Sequence, residues 1–297
     1  MNFPSNNMEL DAKIKKKILR AQKNEITENF IYHKLAHTTS HGENNEILHK
    51  IAEDELRHYN LWKKYTGVDV KPSQFKIWKY YWIARILGIT FGVKLMERGE
   101  KNAQALYRQI VQSVPEAKAI LDDEHQHEKD LINSIHEEGL KYVGSIVLGL
   151  NDALVELTGA LAGLTLALQN TKLIAVTGFI TGIAASFSMA ASEYISTKTE
   201  GSDKHPLRAS IYTGVAYVFT VLFLIFPYMV LDSLYLDLAW TIANAILVIL
   251  FFNFYISVAR DLSFKRRFAE MASISLGIAL ISFGIGFLVR RFIGVEI

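Results

Sequence analysis

Two sets of residues in this chain have the type and spacing to do metal chemistry. The first lies in apolar surroundings. Asp152 and Glu156 stand four residues apart, on one helix face, inside the run GSIVLGLNDALVELTGALAGLTLAL. That run is long enough to cross a bilayer, which takes about 20 apolar residues. A charged side chain at such depth costs about 2.5–3.5 kcal/mol on insertion scales and is seldom left facing lipid. The pair therefore reads as part of a cation path. The competing readings are a buried core helix of a soluble protein, or acids that merely glue helices together. Gly149, Ala153, Gly159, Ala160 and Gly163 flank the pair and would let another helix come close. Met189 and Glu193 repeat the four-residue spacing in the next apolar run. Carboxylate oxygen with one thioether suits a borderline divalent ion such as Fe(II). Calcium and magnesium would gain little from the sulfur. Simple packing is the alternative for Met189. As an ion passes, Asp152 and Glu156 are expected to exchange protons, a physical basis for coupling to a proton gradient.

The second set lies in a charged stretch. Glu55-Leu-Arg-His58 and Glu124-His-Gln-His127 are both Glu-x-x-His, with carboxylate and imidazole one helical turn apart. Di-iron bundles take that unit from two helices and a lone Glu from each of the other two. Lone acids are available at Glu25 and at Glu97 or Glu100. Oxygen and imidazole donors suit Fe(II) or Mn(II), and carboxylates can bridge two cations. Without metal, such a group of buried acids would repel itself. The alternative is a solvated face with incidental pairs. Glu28, one turn from Glu25, is an alternative ligand; His33, His125 and Glu128 read as surface residues.

The elements that must position these groups follow from composition and period. The chain has 297 residues, enough for two domains. Up to Leu140 it is dense in Lys, Glu, His and Asn; from Tyr142 charges become rare and cluster between apolar runs. The net charge of +2 gives no reason to invoke nucleic acid. There is no cysteine, hence no disulfide, thiolate site or iron–sulfur cluster. The start of the chain lacks the apolar core of a signal peptide and is expected to be cytoplasmic. The fold expected is all-α: a polar tail over residues 1–11, a four-helix bundle over 12–138, and a five-span membrane domain over 142–293. In the bundle, apolar spacing predicts helices over about 11–36, 43–65 and 73–113, with Pro115 near the start of a fourth. The apolar stretch YYWIARILGITFGVKL is interrupted by Arg85 and Lys94. It reads as a buried bundle helix that rests on the membrane or on a second subunit. The spans are predicted near 142–168, 173–197, 209–231, 236–258 and 268–289. Lys198, Lys204, Arg208, Arg260, Lys265, Arg266 and Arg267 gather on one side, against Lys172, Arg290 and Arg291 on the other. Positive-inside then puts the N-terminal bundle in the cytoplasm and the C-terminus outside.

The segments QKNEITENFIY, AEDELRH, LMERGEKNAQALY and DDEHQHEKDL resemble the ferritin-like domain of rubrerythrins over about residues 12–138. The resemblance implies an Fe(II)/Fe(III) di-iron site, with Mn(II) as the other candidate. Its implied ligands are Glu25, Glu55, His58, Glu97, Glu100, Glu124 and His127. Rubrerythrins usually carry a four-cysteine rubredoxin module as well; this chain departs from them there. The second half resembles the vacuolar iron transporter family, through VLGLNDALVELTGALAGL and SMAASEYIS. That resemblance implies a homodimer exporting Fe(II), often also Mn(II), from the cytosol in exchange for protons. It implies Asp152, Glu156, Met189 and Glu193 as the pathway. Family members of the vacuolar type insert an acidic helical segment between the second and third spans. Here that loop is short, and the N-terminal bundle takes its place. The order of the two parts resembles the membrane-bound ferritin group of iron exporters. The competing function is a membrane-anchored di-iron oxidase or peroxidase. An anchor needs no intramembrane carboxylates, and here there are three in two spans.

Overall fold

The computed structural model describes residues 12–38, 42–96, 98, 110–111, 114–120, 122–123, 141–201 and 203–293. The chain divides into two compact units, Met1–Glu137 and Glu138–Ile297. Among the described residues the regular structure is all helical, with no strand.

In the first unit, α1 (Ala12–Ala36) and α2 (Gly42–Thr66) pack side by side. Their register is pinned by side-chain amides on backbone carbonyls. Asn29 Nδ2 donates to the Ala52 carbonyl at 2.7 Å, and Asn45 Nδ2 to that of Ala36 at 2.8 Å. The two helices therefore run antiparallel. Ile31, Leu35, Leu48 and Ile51 close one core with Ile77, Ala84 and Met96. Ile18, Ala21 and Trp62 close another with Ile110, Val114, Ala117 and Ile120. Each large apolar side chain buried this way contributes about 1.5–3 kcal/mol.

The expected long third helix is interrupted. α3 (Gln74–Leu87) stops at Gly88, whose φ of 99° suits a residue without a Cβ. Residues 89–96 are helical again. The chain doubles back at the break: a Cβ on Gly92 would lie 2.5 Å from the Ala84 Cβ. Nor is α3 buried all round. Ile77 and Ala84 face the core, while Phe75, Trp78, Trp82 and Ile86 are exposed. The period of the sequence shows an apolar helix but not which apolar residues find partners. After Pro115, residues 117–120 are helical, where the fourth helix is expected to begin.

The second unit holds α4 (Val143–Leu168), α5 (Thr171–Thr199), α6 (Pro206–Val230), α7 (Leu234–Ala259) and α8 (Phe264–Ile293). All five are long and apolar enough to cross a membrane. α4 matches its predicted span to within one residue; α5, α7 and α8 run past theirs at both ends by one to four residues, and α6 begins three residues early and ends one short. Asn170 caps α5 by accepting the Leu173 N–H at 3.1 Å, and Pro206 opens α6, where a missing N–H is harmless. α4 is the central helix, in contact with the other four. Small residues make that possible. Gly163 and Gly286 bring α4 and α8 so close that a Cβ on Gly286 would stand 2.2 Å from the Gly163 carbonyl oxygen. Hydroxyls tie the helices together through carbonyls: Thr213 to Ser145, Ser275 to Leu154, and Thr241 to Leu224. Asn244 donates across to the Phe223 carbonyl, while Asn253 turns back on Ile249 of its own helix.

Candidate metal centre and intramembrane acids

α1 and α2 bring Glu25, Glu55 and His58 together, with ligand atoms within 4.8 Å of one another and all three residues buried. Glu55 and His58 share a face because they are one turn apart; Glu25 meets them from the facing helix. His58 Nδ1 lies 3.6 Å from Glu25 Oε2 and 3.8 Å from Glu55 Oε2. The other Glu25 oxygen accepts the Trp62 indole N–H at 2.9 Å. Burial opposes ionisation of Glu25. Hydrogen bonding with His58, Glu55 and Trp62, together with attraction to His58, outweighs it and holds the carboxyl below its ordinary value of 4.5. The result is a buried group of hard oxygen and imidazole donors, a set that fits Fe(II) or Mn(II).

His58 Nε2 is 3.2 Å from Asp123 Oδ2, and Arg57 Nη2 donates to the same oxygen at 2.8 Å. With Nε2 on Asp123, His58 presents Nδ1 to the two acids. This is how an outer carboxylate orients a ligating imidazole. Asp123 had no place in the sequence expectation, which looked one residue on, to Glu124. The signal was its position at the head of the Asp-Glu-His-Gln-His stretch. Glu97, Glu100, Glu124 and His127 lie outside the described residues.

In the second unit the acids are dispersed. Glu156 lines a cavity of about 450 Å³ with Tyr217, Thr177, Thr181, Ser282 and Gly163. Its Oε2 accepts the Tyr217 hydroxyl at 2.7 Å. Asp152 sits one turn back on α4, half-buried. Glu193 is buried near the end of α5, where Oε1 accepts the Ser145 hydroxyl at 2.5 Å and that of Thr197 at 3.5 Å. Met189 packs against the apolar core that contains Leu157, Tyr217 and Val221. The lining of the Glu156 cavity includes neither Asp152, Met189 nor Glu193. The four expected pathway residues are therefore strung along α4 and α5 rather than gathered in one chamber. Two further groups were missed from sequence. Tyr217 looks like an ordinary span aromatic until its hydroxyl is seen on Glu156. Asp237, in the first turn of α7, is fully buried, with neither carboxylate oxygen hydrogen-bonded.

Comparison with known proteins bears on the second unit. The family model of the VIT family matches residues 143–203, which cover α4 and α5 and run into the turn beyond. No curated protein matches the chain. In line with the vacuolar iron transporter resemblance, the two acid-bearing helices are similar to those of a membrane metal-ion transporter family. With five helices able to span a bilayer, the second unit has the character of an integral membrane domain.

Proposed function

We propose that this chain is a multi-pass membrane protein that exports Fe(II), or Mn(II), from the cytoplasm in exchange for protons, as a homodimer. In this reading the N-terminal unit is a cytoplasmic ferritin-like di-iron domain that captures, senses or oxidises iron. The observation that carries the reading is a carboxylate at mid-span, Glu156. It is held by Tyr217 on a cavity among small and hydroxyl residues, in the stretch matched by the VIT family.

The order of the acids supports a path. Glu193 and Ser145 lie at the end of the unit where Lys204 and Arg260 approach Gly144, the cation-rich end expected to face the cytoplasm. Asp152 is seven residues further along α4, about 10 Å by helical rise. Glu156 follows one turn later, and its cavity continues to Ala167 and Val289 at the opposite end. An ion entering near Glu193 would meet a carboxylate at each stage, and each acid released by the ion would be free to take a proton. The exposed side of Glu156 and the thinly covered faces of α5 and α8 are where a second copy would seal the path from lipid.

Uptake of Fe(II) into proteoliposomes under an imposed pH gradient tests this. Glu156→Gln and Glu193→Gln are expected to abolish gradient-dependent uptake while leaving metal on the bundle. Undiminished transport by both variants overturns the assignment. The Glu25–Glu55–His58 centre favours a second reading, a membrane-anchored di-iron oxidase or peroxidase. When its metals are bound they would supply redox chemistry with oxygen or peroxide. Glu25, Glu55 and His58 would hold them, and Glu97, Glu100, Glu124 and His127 are the remaining candidates. Metal-dependent oxidation that survives in Glu156→Gln, in a chain that moves no ion, would select that reading.

A further inference from the structure

A second group of metal-binding side chains sits away from the buried centre, where α1 ends and α2 begins. His33 lies in the last turn of α1 and His37 four residues on, in the turn just past its end; His49 and Glu53 are four apart on α2. Each pair lies on one side of its helix, and the antiparallel register sets the two sides against each other. The rings of His33 and His49 have centroids 5.2 Å apart, and those of His37 and His49 are 5.4 Å apart. Glu53 is close enough to act electrostatically on His33.

Those spacings have a chemical meaning. A metal about 2.1 Å from an imidazole nitrogen lies about 3.2 Å from the ring centroid, so two rings at a tetrahedral angle have centroids about 5.2 Å apart. The rings now meet edge to face, at 66° and 85°. In the present rotamers the three rings do not bring one nitrogen each within 4.8 Å of the others; His37 is exposed and the other two are half-buried, so binding would turn the nitrogens inward. Desolvation, with repulsion from His49 and His37, holds the His33 ring below the ordinary imidazole value, so its lone pair is available at neutral pH. Along α1, eight residues separate His33 from Glu25, about 12 Å of helical rise. The group is therefore distinct from the buried centre.

We propose that His33, His37 and His49, with Glu53 as fourth donor, form a second, solvent-accessible site for a borderline divalent cation of the zinc, cobalt or nickel type. Three imidazoles favour such ions over calcium and magnesium. The donor set also differs from the carboxylate-rich Glu25 centre, which suits Fe(II) or Mn(II). This assignment does not depend on the transport reading.

Cobalt(II) titration of the purified full chain in detergent tests it, read by visible absorption. A three-histidine tetrahedral site gives intense d–d bands; an oxygen-rich six-coordinate site gives weak ones. The intense bands are expected in the parent and in Glu25→Gln. They are expected to vanish in His49→Ala, with affinity down about 100-fold or more, since even outer partners are worth about 10–100-fold. His37→Gln, just past the end of α1, reports the same loss if His49→Ala fails to fold. Glu53→Gln is expected to weaken binding by about 10-fold while keeping the bands. Intense bands that persist in both His49→Ala and His37→Gln overturn the assignment. So does a parent spectrum with weak bands alone.

Discussion

The two units handle their acids in opposite ways. In the N-terminal unit Glu25, Glu55 and His58 are drawn into one cluster, and Trp62 and Asp123 hold its outer atoms in place. In the C-terminal unit Glu156 and Glu193 stand apart, each supported by hydroxyls, and the carboxylate of Asp237 has no hydrogen-bond partner among the described residues. A convergent donor set holds an ion, because its oxygens and imidazole are already in place. Dispersed acids, each weakly supported, suit an ion in transit: a site must bind well enough to be entered and loosely enough to be left. One chain thus carries a holding geometry and a passing geometry, and the difference can be tested by breaking each.

The largest effect should come from the bundle. His58→Leu leaves two buried acids without the imidazole that partners them, which costs about 3–5 kcal/mol. Denaturant unfolding of the metal-free chain should show the loss in the N-terminal transition, and added Mn(II) should no longer raise its midpoint. An unchanged Mn(II) effect would mean that the metal sits elsewhere. In the membrane unit, Tyr217→Phe removes one hydrogen bond to a charged group, worth about 1.5 kcal/mol, so uptake should fall by about 10-fold. The metal content of the bundle should not change, and equal loss from both would deny the division of labour. Gly286→Ala forces a Cβ onto the Gly163 carbonyl and should cost about 1–3 kcal/mol by overpacking, lowering the thermal midpoint of the membrane unit alone. The smallest effect concerns pH. Because the folded-state value of Glu25 lies below 4.5, the stability gained from its ionisation is fully present above about 4.5 and is lost as pH falls through the lower folded value. Melting curves of the metal-free chain should show this acid-limb loss in the parent and less of it in Glu25→Gln.

Much of this organisation is legible in the sequence because it rests on local periodicity. Hydropathy alone marks five spans, since a lipid-crossing helix must satisfy its backbone internally and stay apolar for its full length. The Glu-x-x-His spacing alone places Glu55 beside His58, because one helical turn separates three or four residues. Gly88 shows the limit. A single glycine inside an apolar helical pattern is compatible with a continuous helix, and the break is decided by the packing of Gly92 on Ala84. The outward stripe of Phe75, Trp78, Trp82 and Ile86 is another such case, since the sequence cannot rank one apolar residue above another for a place inside.

What the sequence determined by itself is the inventory: helices, spans, cation-rich loops, and the acid pairs that share a helix face. Only the tertiary structure decided which residues meet across helices. It set Glu25 on His58, Asp123 behind His58, Tyr217 on Glu156, and His49 between His33 and His37. The physical reason is one of range. Helical periodicity is a property of residues three or four apart, whereas these contacts join residues 12 to 65 positions apart. Their meeting depends on helix register and on close approach through small residues.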